Sequence, residues 1–232
     1  PTLKKGGASV SCLYDKGATK IGIDKALKVL ISQCKTGDIV YLHFSTHGQP
    51  FEDDSGDEDD GWDESIVPVD ASIEYTKGKY EGENHLIDDE LHEYCTIIRK
   101  AIGTEGMLYV VIDACHAGKA SMGIEDDVIR GTKAGFTRSG RYYRPQKLEK
   151  GNFYNIPSSQ TLGKVVFIEA CRAYQVNKEI VESGKHYGAL SYYINRVLSN
   201  HKLTKDTKWI ETVKDMMDKD TRLTNQNMVI EY

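Results

Sequence analysis

The sequence predicts an α/β fold in which a mainly parallel central sheet is covered by helices on both faces. Three short apolar runs rich in β-branched and aromatic residues lie at 39–45 (IVYLHFS), 107–112 (MLYVVI) and 165–170 (VVFIEA). Continuous apolar runs of this length are typical of parallel strands that are buried on both faces. Helical patterns alternate with these runs, which is the order expected of a layered α/β domain.

Four segments carry the apolar periodicity of helices. The first begins after Thr19, a predicted N-cap, and is expected to close near Gly37; its apolar positions recur at intervals of three and four. The second is predicted over 87–101, with Asp88 and Asp89 in its first turn, where their charges suit the positive end of a helix dipole. The other predicted helices are 187–200 and 207–218, and further short strands are predicted at 8–14 and 227–231.

Composition limits the classes of function. The chain has 232 residues, 28% of them charged, and a formal net charge of -5, so the overall balance does not suggest a nucleic-acid partner. The five cysteines are widely spaced, which argues against a disulfide framework and against a paired-cysteine zinc or redox site. No apolar run of transmembrane length is present, and no signal peptide is visible. These features favour a cytoplasmic protein.

Two segments stand out as non-regular. Residues 52–64 are so dense in Asp and Glu that a solvated loop is expected, because such a charge density cannot be buried unpaired. Residues 119–160 have weak apolar periodicity and many Gly, Arg and Lys residues, and are interpreted as a mobile linker or loop excursion.

Reactive side chains follow two of the predicted strands. The first strand runs into Ser45-Thr46-His47-Gly48, and the second runs into Asp113-Ala114-Cys115-His116. Sites in open parallel sheets form beyond the carboxyl ends of the strands. If the two strands are neighbours, His47 and Cys115 face each other at one edge.

This pairing suits nucleophilic thiol chemistry. An imidazole beside a thiol raises the thiolate fraction and later protonates a leaving amine. The backbone N–H groups of Gly48 and Cys115 are candidate donors to a developing oxyanion. Each element alone is more often structural, and the prediction depends on their combination. His116 is adjacent to Cys115 and is therefore assigned a surface or supporting role. His43 and His47 lack an obvious third ligand, so a zinc site is not favoured.

The ordered motifs of the chain closely resemble those of type I, bacterial-like metacaspases of the caspase-like superfamily. That family has a strand ending Ser-Gly-His-Gly, an acidic loop closing in Pro-Val-Asp, a helix starting with paired Asp, and a strand ending Asp-Ser-Cys-His-Ser-Gly. The differences are Thr46, Ala114 and Ala117, which leave the His and Cys positions intact. The matching strings are FSTHGQ, DEDDGWDESIVPVD, IDDEL, VVIDACHAG, GALSYYI and QNMVIE.

The resemblance implies one caspase-like domain over residues 1–232, a three-layer sandwich with a six-stranded sheet whose last strand is antiparallel. It implies a cysteine endopeptidase that cleaves after Arg or Lys, with His47 and Cys115 as the dyad. Ser45 and Asp113 match the acidic specificity pocket, although Asp113 is also open to interpretation as a structural acid that orients the turn. The family's first strand and helix are not found in this chain, so the pocket is only partly accounted for.

The resemblance also implies calcium and self-processing. Asp63, Asp88 and Asp89 match the family's calcium ligands, and oxygen ligands of this kind suit calcium; a solvated acidic face is the alternative. The 119–160 linker is where zymogens of the family are cut, and Lys133, Arg138 and Arg141 are the candidate self-cleavage positions. The expected partners are protein or peptide substrates with a basic residue before the cleaved bond, and the expected state is a monomer.

Two other functions remain open at this point. One is a catalytically silent caspase-like scaffold that binds partners, which an intact His and Cys pair disfavours. The other is a clostripain-like or separase-like peptidase of the same clan, which would lack the Pro-Val-Asp and paired-Asp segments seen here.

Overall fold

The structure is a computed structural model that describes residues 2–56, 58–116, 129–132, 134–144 and 159–232. The helices are α1 (Thr2–Lys5), α2 (Lys20–Gln33), α3 (Asp88–Ile102), α4 (Ala189–Leu198) and α5 (Lys208–Asp218), with 3₁₀ turns at Asp15–Gly17 and Thr221–Leu223. The strands are β1 (Ile39–Ser45), β2 (His47–Glu52), β3 (Trp62–Val67), β4 (Leu86–Ile87), β5 (Met107–Asp113), β6 (Lys164–Glu169), β7 (Glu179–Glu182), β8 (Lys185–Gly188) and β9 (Val229–Glu231).

The central sheet has the order β1-β5-β6-β9. β1, β5 and β6 are parallel, and β9 runs antiparallel to β6. The predicted mainly parallel sheet with an antiparallel last strand is confirmed. In the described residues this sheet has four strands, and the expectation of six is wrong there, because β2, β3 and β4 form a separate sheet and β7 and β8 a separate hairpin.

Helices cover both faces of the sheet, as predicted. Successive side chains of β5 point to opposite faces: Leu108 and Val110 pack with α2 and α3, whereas Tyr109 and Val111 pack with α4 and α5. All seven residues of β5 are buried, which explains why the strand reads as one continuous apolar run. None of the helices in the described ranges combines the length and the apolar character that crossing a bilayer requires.

Local sequence features correctly predicted where two helices begin. Thr19 caps α2, and its side-chain oxygen accepts the N–H of Gly22 at 3.0 Å. Asp88 and Asp89 open α3 as predicted. The helix expected over 187–200 begins later, at Ala189, because 185–188 pair as β8 with β7.

Two expectations from the sequence are wrong. Residues 8–14 form no strand; except for the half-buried Val10 they are exposed, and no described strand pairs with them. The acidic segment is not solvated throughout, since β3 begins at Trp62 and pairs with β2, which buries Asp63. Four of the six β3 residues, Trp62, Asp63, Ser65 and Ile66, are buried, so both faces of this strand are largely covered.

The predicted linker is described only in part. Residues 117–128, 133 and 145–158 lie outside the described residues. The described parts form isolated parallel bridges to β2, Gly48 with Gly131 and Phe51 with Phe136. Phe136 is buried and stacks on Phe51 with ring centroids 4.9 Å apart. This part of the excursion is therefore packed against the second sheet.

Candidate active site

The ends of β1 and β5 lie side by side. Their parallel register pairs Ser45 with Asp113, and the N–H of Thr46 donates to the carbonyl of Asp113 at 3.3 Å. His47 and Cys115 lie two residues beyond this pair: His47 is the first residue of β2, and Cys115 follows the end of β5. The neighbouring strands on which the sequence argument depends are thus present, and both residues belong to the same sheet edge. His47 is exposed, whereas Cys115 is buried.

Gly48 allows the two chain segments to pack closely. A Cβ atom at this position would lie 2.7 Å from both the carbonyl oxygen of Cys115 and Nε2 of His116. His116 is buried, so the surface role is wrong. Burial lowers the pKa of His116 to about 4, against a smaller opposing effect of a hydrogen bond with the Ser65 backbone. The ring is therefore neutral at pH 7 and supports the turn that carries Cys115.

Two backbone donors beyond the strand ends point to one oxygen. The N–H of Cys115 donates to the carbonyl of Arg130 at 2.8 Å, and the N–H of Gly48 donates to the same oxygen at 3.2 Å. These are the two groups that the sequence analysis selected as oxyanion donors. Their convergence on a single carbonyl is the geometry that stabilises negative charge on a carbonyl oxygen.

Asp113 is fully buried, and its oxygens have several donors. Oδ1 accepts a hydrogen bond from Asn177 Nδ2 at 2.8 Å. Oδ2 accepts the backbone N–H of Ser191 at 2.8 Å and the Ser191 hydroxyl at 2.5 Å. Because Ser191 lies in the first turn of α4, the carboxylate caps that helix. The structural role that the sequence left open for Asp113 is thus visible in its contacts.

The guanidinium of Arg130 occupies the space beside Ser45. Its Nη1 donates to Ser45 Oγ at 2.8 Å, and its Nη2 lies 3.2 Å from Glu179 Oε1 in a mostly buried ion pair. A Cβ atom on Gly188 would collide with Asp113 Oδ2 and lie 2.8 Å from Arg130 Nε, so the two charged groups are close. An open pocket of about 720 Å³ begins at Ser45 and Arg130 and extends along β8 and α4.

Sequence reasoning did not identify Glu179, Arg130 or Ser191 as parts of this site. Glu179 lies on the β7–β8 hairpin, far along the chain from the two strand ends. Its acidic side chain, in a segment without helical periodicity, was the one available signal. Glu179 places a carboxylate beside the Arg130 guanidinium at this edge of the sheet.

A second thiol lies beside Cys115. The thiols of Cys115 and Cys171 both donate to the carbonyl of Gln175, at 3.2 and 3.5 Å. A hydrogen bond with Cys115 and burial raise the pKa of Cys171 well above its usual value. Cys171 is therefore a neutral neighbour of Cys115.

Comparison with known proteins places part of the chain in a family. The family model of the metacaspase, peptidase C14 domain matches residues 8–122. This part of the chain belongs to the metacaspase family. It is 37% identical over 102 residues to Metacaspase-1 of Eremothecium gossypii, covering 44% of this chain and 20% of that protein. It is 41% identical over 101 residues to Metacaspase-2 of Arabidopsis thaliana, covering 43% of this chain and 21% of that protein. The chain thus spans about a fifth of the length of these metacaspases.

A solved structure matches over a longer range. The crystal structure of protein GSU0716 from Geobacter sulfurreducens superposes with a TM-score of 0.61 at 18% identity, covering 99% of this chain and 78% of that one. At this identity the likeness concerns the fold, which is the caspase-like α/β fold expected for a metacaspase.

Of the calcium candidates, Asp88 and Asp89 open α3, and Asp63 on β3 is close enough to affect the charge of Asp88. Asp63 and Asp88 are both buried, and Asp88 Oδ1 has no hydrogen-bond partner among the described residues. Burial, with the neighbouring charges of Asp63, Glu58 and Asp89, raises the pKa of Asp88 to about 8. The donor chemistry fits a hard cation. A completed ligand set is not formed, because no group of three or more His, Cys, Asp or Glu in the described ranges is arranged to hold a metal ion.

Two of the three candidate self-cleavage positions, Arg138 and Arg141, contact the acidic segment between β2 and β3. Lys133 lies outside the described residues. Arg138 is ion-paired with Asp54, and its backbone N–H donates to Glu52 at 2.7 Å. Arg141 donates to the carbonyl of Asp60 at 3.1 Å. Arg138 and Arg141 thus contact the acidic hairpin, which is formed by β2, β3 and the residues between them. Arg130, by contrast, contacts Ser45 and Glu179 at the candidate active site.

Proposed function

We propose that this metacaspase is a cysteine endopeptidase that hydrolyses peptide bonds after Arg or Lys. The observation that carries the proposal is the pair of N–H groups, from Gly48 and Cys115, that meet on one carbonyl oxygen beside a thiol. A preorganised pair of donors of this kind is worth several kcal/mol in acyl transfer.

The proposed reaction uses His47 and Cys115. His47 accepts the thiol proton as Cys115 Sγ attacks the substrate carbonyl carbon, and the two N–H groups stabilise the oxyanion. Collapse of this intermediate breaks the C–N bond, and the imidazolium gives its proton to the leaving amine. Water then hydrolyses the thioester, which releases a carboxylate and restores the thiol.

The basic specificity is supported by the pocket next to this centre. Ser45 and Glu179 both contact a guanidinium there, and Asp113 adds a nearby negative charge. A carboxylate and a hydroxyl at fixed positions favour Arg and Lys through charge-assisted hydrogen bonds, and an acidic side chain would be repelled.

Calcium dependence and self-processing belong to the same proposal. Calcium would be held by Asp63, Asp88 and Asp89, supported by the unpartnered buried oxygen of Asp88 and by the clustering of acids around it. When bound, the ion would supply positive charge that neutralises the buried carboxylates. Self-processing is supported by the proximity of the described 129–132 segment to Cys115.

The expected setting is a monomer in the cytoplasm. All five cysteines are free thiols, which is the usual state in a reducing compartment. Size-exclusion chromatography with light scattering would test the oligomeric state.

The test is hydrolysis of fluorogenic peptides that differ in the residue before the cleaved bond: Arg, Lys or Asp. We expect activity on Arg and Lys, none on Asp, and a loss of at least roughly a thousandfold in Cys115→Ala and in His47→Ala. Cys34→Ala serves as the matched cysteine control. A folded wild-type protein that hydrolyses none of the peptides, with or without calcium, would instead support the silent scaffold.

A further inference from the structure

Residues 129–132 lie in the site and form isolated backbone bridges to two neighbouring segments. The N–H of Arg130 donates to the carbonyl of Asn177 at 3.1 Å, and the N–H of Thr132 donates to the carbonyl of Gly48 at 3.2 Å. Isolated bridges join Ile129 to Lys178 and Gly131 to Gly48. The segment therefore has backbone partners on both sides, as an extended peptide has when it adds to a sheet edge.

Arg130 contacts both the candidate oxyanion donors and the candidate pocket, as the proposed function requires of the residue before the cleaved bond. Its carbonyl oxygen accepts both candidate oxyanion donors, at 2.8 and 3.2 Å. Its guanidinium bonds Ser45 and pairs with Glu179. The other carboxylate oxygen of Glu179 lies 3.0 Å from His186 Nδ1.

Gly131 completes the arrangement on the other side of the peptide bond. A Cβ atom at Gly131 would lie 3.4 Å from Cys115 Sγ and 2.8 Å from the Cys115 carbonyl oxygen. The backbone of Gly131 thus lies against Cys115, and a side chain at 131 would collide with the Cys115 carbonyl oxygen. The Cys115 thiol donates to the carbonyl of Gln175 at 3.2 Å.

From these contacts we infer that the Arg130–Gly131 bond is the internal substrate of this chain: Arg130 fills the substrate site until Cys115 cuts the bond after it in cis. The inference rests on the proposed function and assigns the self-processing bond. In the cut, Cys115 Sγ bonds the Arg130 carbonyl carbon, the C–N bond to Gly131 breaks, and the Gly131 nitrogen takes a proton from His47. Water then hydrolyses the thioester to give an Arg130 carboxylate. The two pieces remain associated through the pairing of β5 with β6.

The first test maps the cut. Purified wild-type chain is incubated and analysed by intact mass and N-terminal sequencing; we expect pieces corresponding to residues 1–130 and 131–232, at a rate independent of protein concentration. Arg130→Ala should abolish this cut, Arg130→Lys should keep it, and the matched change Arg138→Ala should leave it unchanged. Wild type that hydrolyses the Arg peptide but is first cut elsewhere, or not at all, overturns this inference alone. If neither the peptide nor the chain is cut, the proposed function fails with it.

The second test measures occupancy without catalysis. In the Cys115→Ala background, a fluorescent peptide amide ending in arginine must compete with Arg130 for the site. Adding Arg130→Ala should tighten its binding at least roughly tenfold, because the competent fraction of the site rises. Adding Arg138→Ala should not change the affinity. Circular dichroism verifies that each variant is folded, and equal affinity in folded proteins with and without Arg130 overturns the inference.

Discussion

Two acids near the guanidinium of Arg130 differ in how their oxygens are used. Asp113 is completely buried, and its carboxylate accepts hydrogen bonds from Asn177 and Ser191. Glu179 is mostly buried and directs one oxygen to Arg130 and the other to His186 Nδ1. At the residue scale we therefore assign recognition of the basic side chain to Glu179, and support of the pocket wall to Asp113.

We expect Glu179→Gln to lower kcat/KM for an Arg peptide by roughly 10- to 100-fold, because a charge-assisted hydrogen bond of about 1.5–3 kcal/mol is lost. Its free energy of unfolding should change by less than about 1 kcal/mol. Fluorogenic peptide hydrolysis and urea unfolding measure the two quantities. Glu211→Gln, on the exposed face of α5, controls for net charge. An unchanged kcat/KM in Glu179→Gln would argue against this assignment.

The acidic hairpin and the start of α3 are joined through strand pairing. β2 and β3 pair antiparallel, and β4 adds to β3 just before Asp88 opens the helix. This pairing brings Asp63 next to Asp88, although the two are far apart in sequence. Burying two acids together costs free energy unless a cation or a proton neutralises them.

The calcium proposal therefore predicts that calcium reverses the sign of the difference in unfolding temperature between Asp88→Asn and wild type. In chelator, Asp88→Asn should unfold at a higher temperature than wild type, because a buried and repelled carboxyl is removed. With calcium the order should reverse, since wild type gains about 2.7 kcal/mol at a hundredfold excess over Kd and the variant gains little. Thermal unfolding with chelator, calcium or magnesium is the measurement. Asp59→Asn, exposed in the same loop, is the control. Wild type that responds equally to the two ions would contradict a calcium site.

At the scale of the whole molecule, two buried histidines make the free energy of unfolding depend on pH. His85 lies between Tyr80, whose hydroxyl is 2.9 Å from Nδ1, and Gln49, whose Oε1 is 3.0 Å from Nε2. The amide nitrogen of Gln49 donates to the carbonyls of Ile73 and Ala134, so its oxygen must accept from the ring. Burial lowers the pKa of His85 to about 4, and the same holds for His116.

Stability should fall as the pH drops from about 6.5 to about 4. In that range the unfolded chain binds protons on these imidazoles and the folded chain does not, so the free energy of unfolding decreases toward acid. Each histidine contributes at most about 3 kcal/mol, present in full above pH 6.5. Urea unfolding between pH 4 and 8 is the measurement. His85→Gln should flatten the profile relative to wild type, and exposed His201→Gln should not; equal profiles for the two variants would refute the assignment.

Features that depend on neighbours along the chain could be predicted from the sequence. Nearly continuous burial of β5 and β6 produced readable apolar runs, and the Thr19 cap and the acidic first turn of α3 indicated helix starts. It also selected His47, Gly48 and Cys115, because each follows directly from a strand end; that His47 and Cys115 act as a dyad remains a prediction. The motif strings indicated the family.

Features that depend on residues distant in sequence became visible in the three-dimensional fold. Pairing of β3 with β2 buried Asp63, against the expectation from local charge. Folding of the β7–β8 hairpin brought Glu179 to the pocket, and the return of residues 129–132 placed Arg130 on the donors of Gly48 and Cys115. The physical reason is that strand register and chain return are fixed by packing over the whole core, and no local propensity encodes which distant side chain arrives at a given edge.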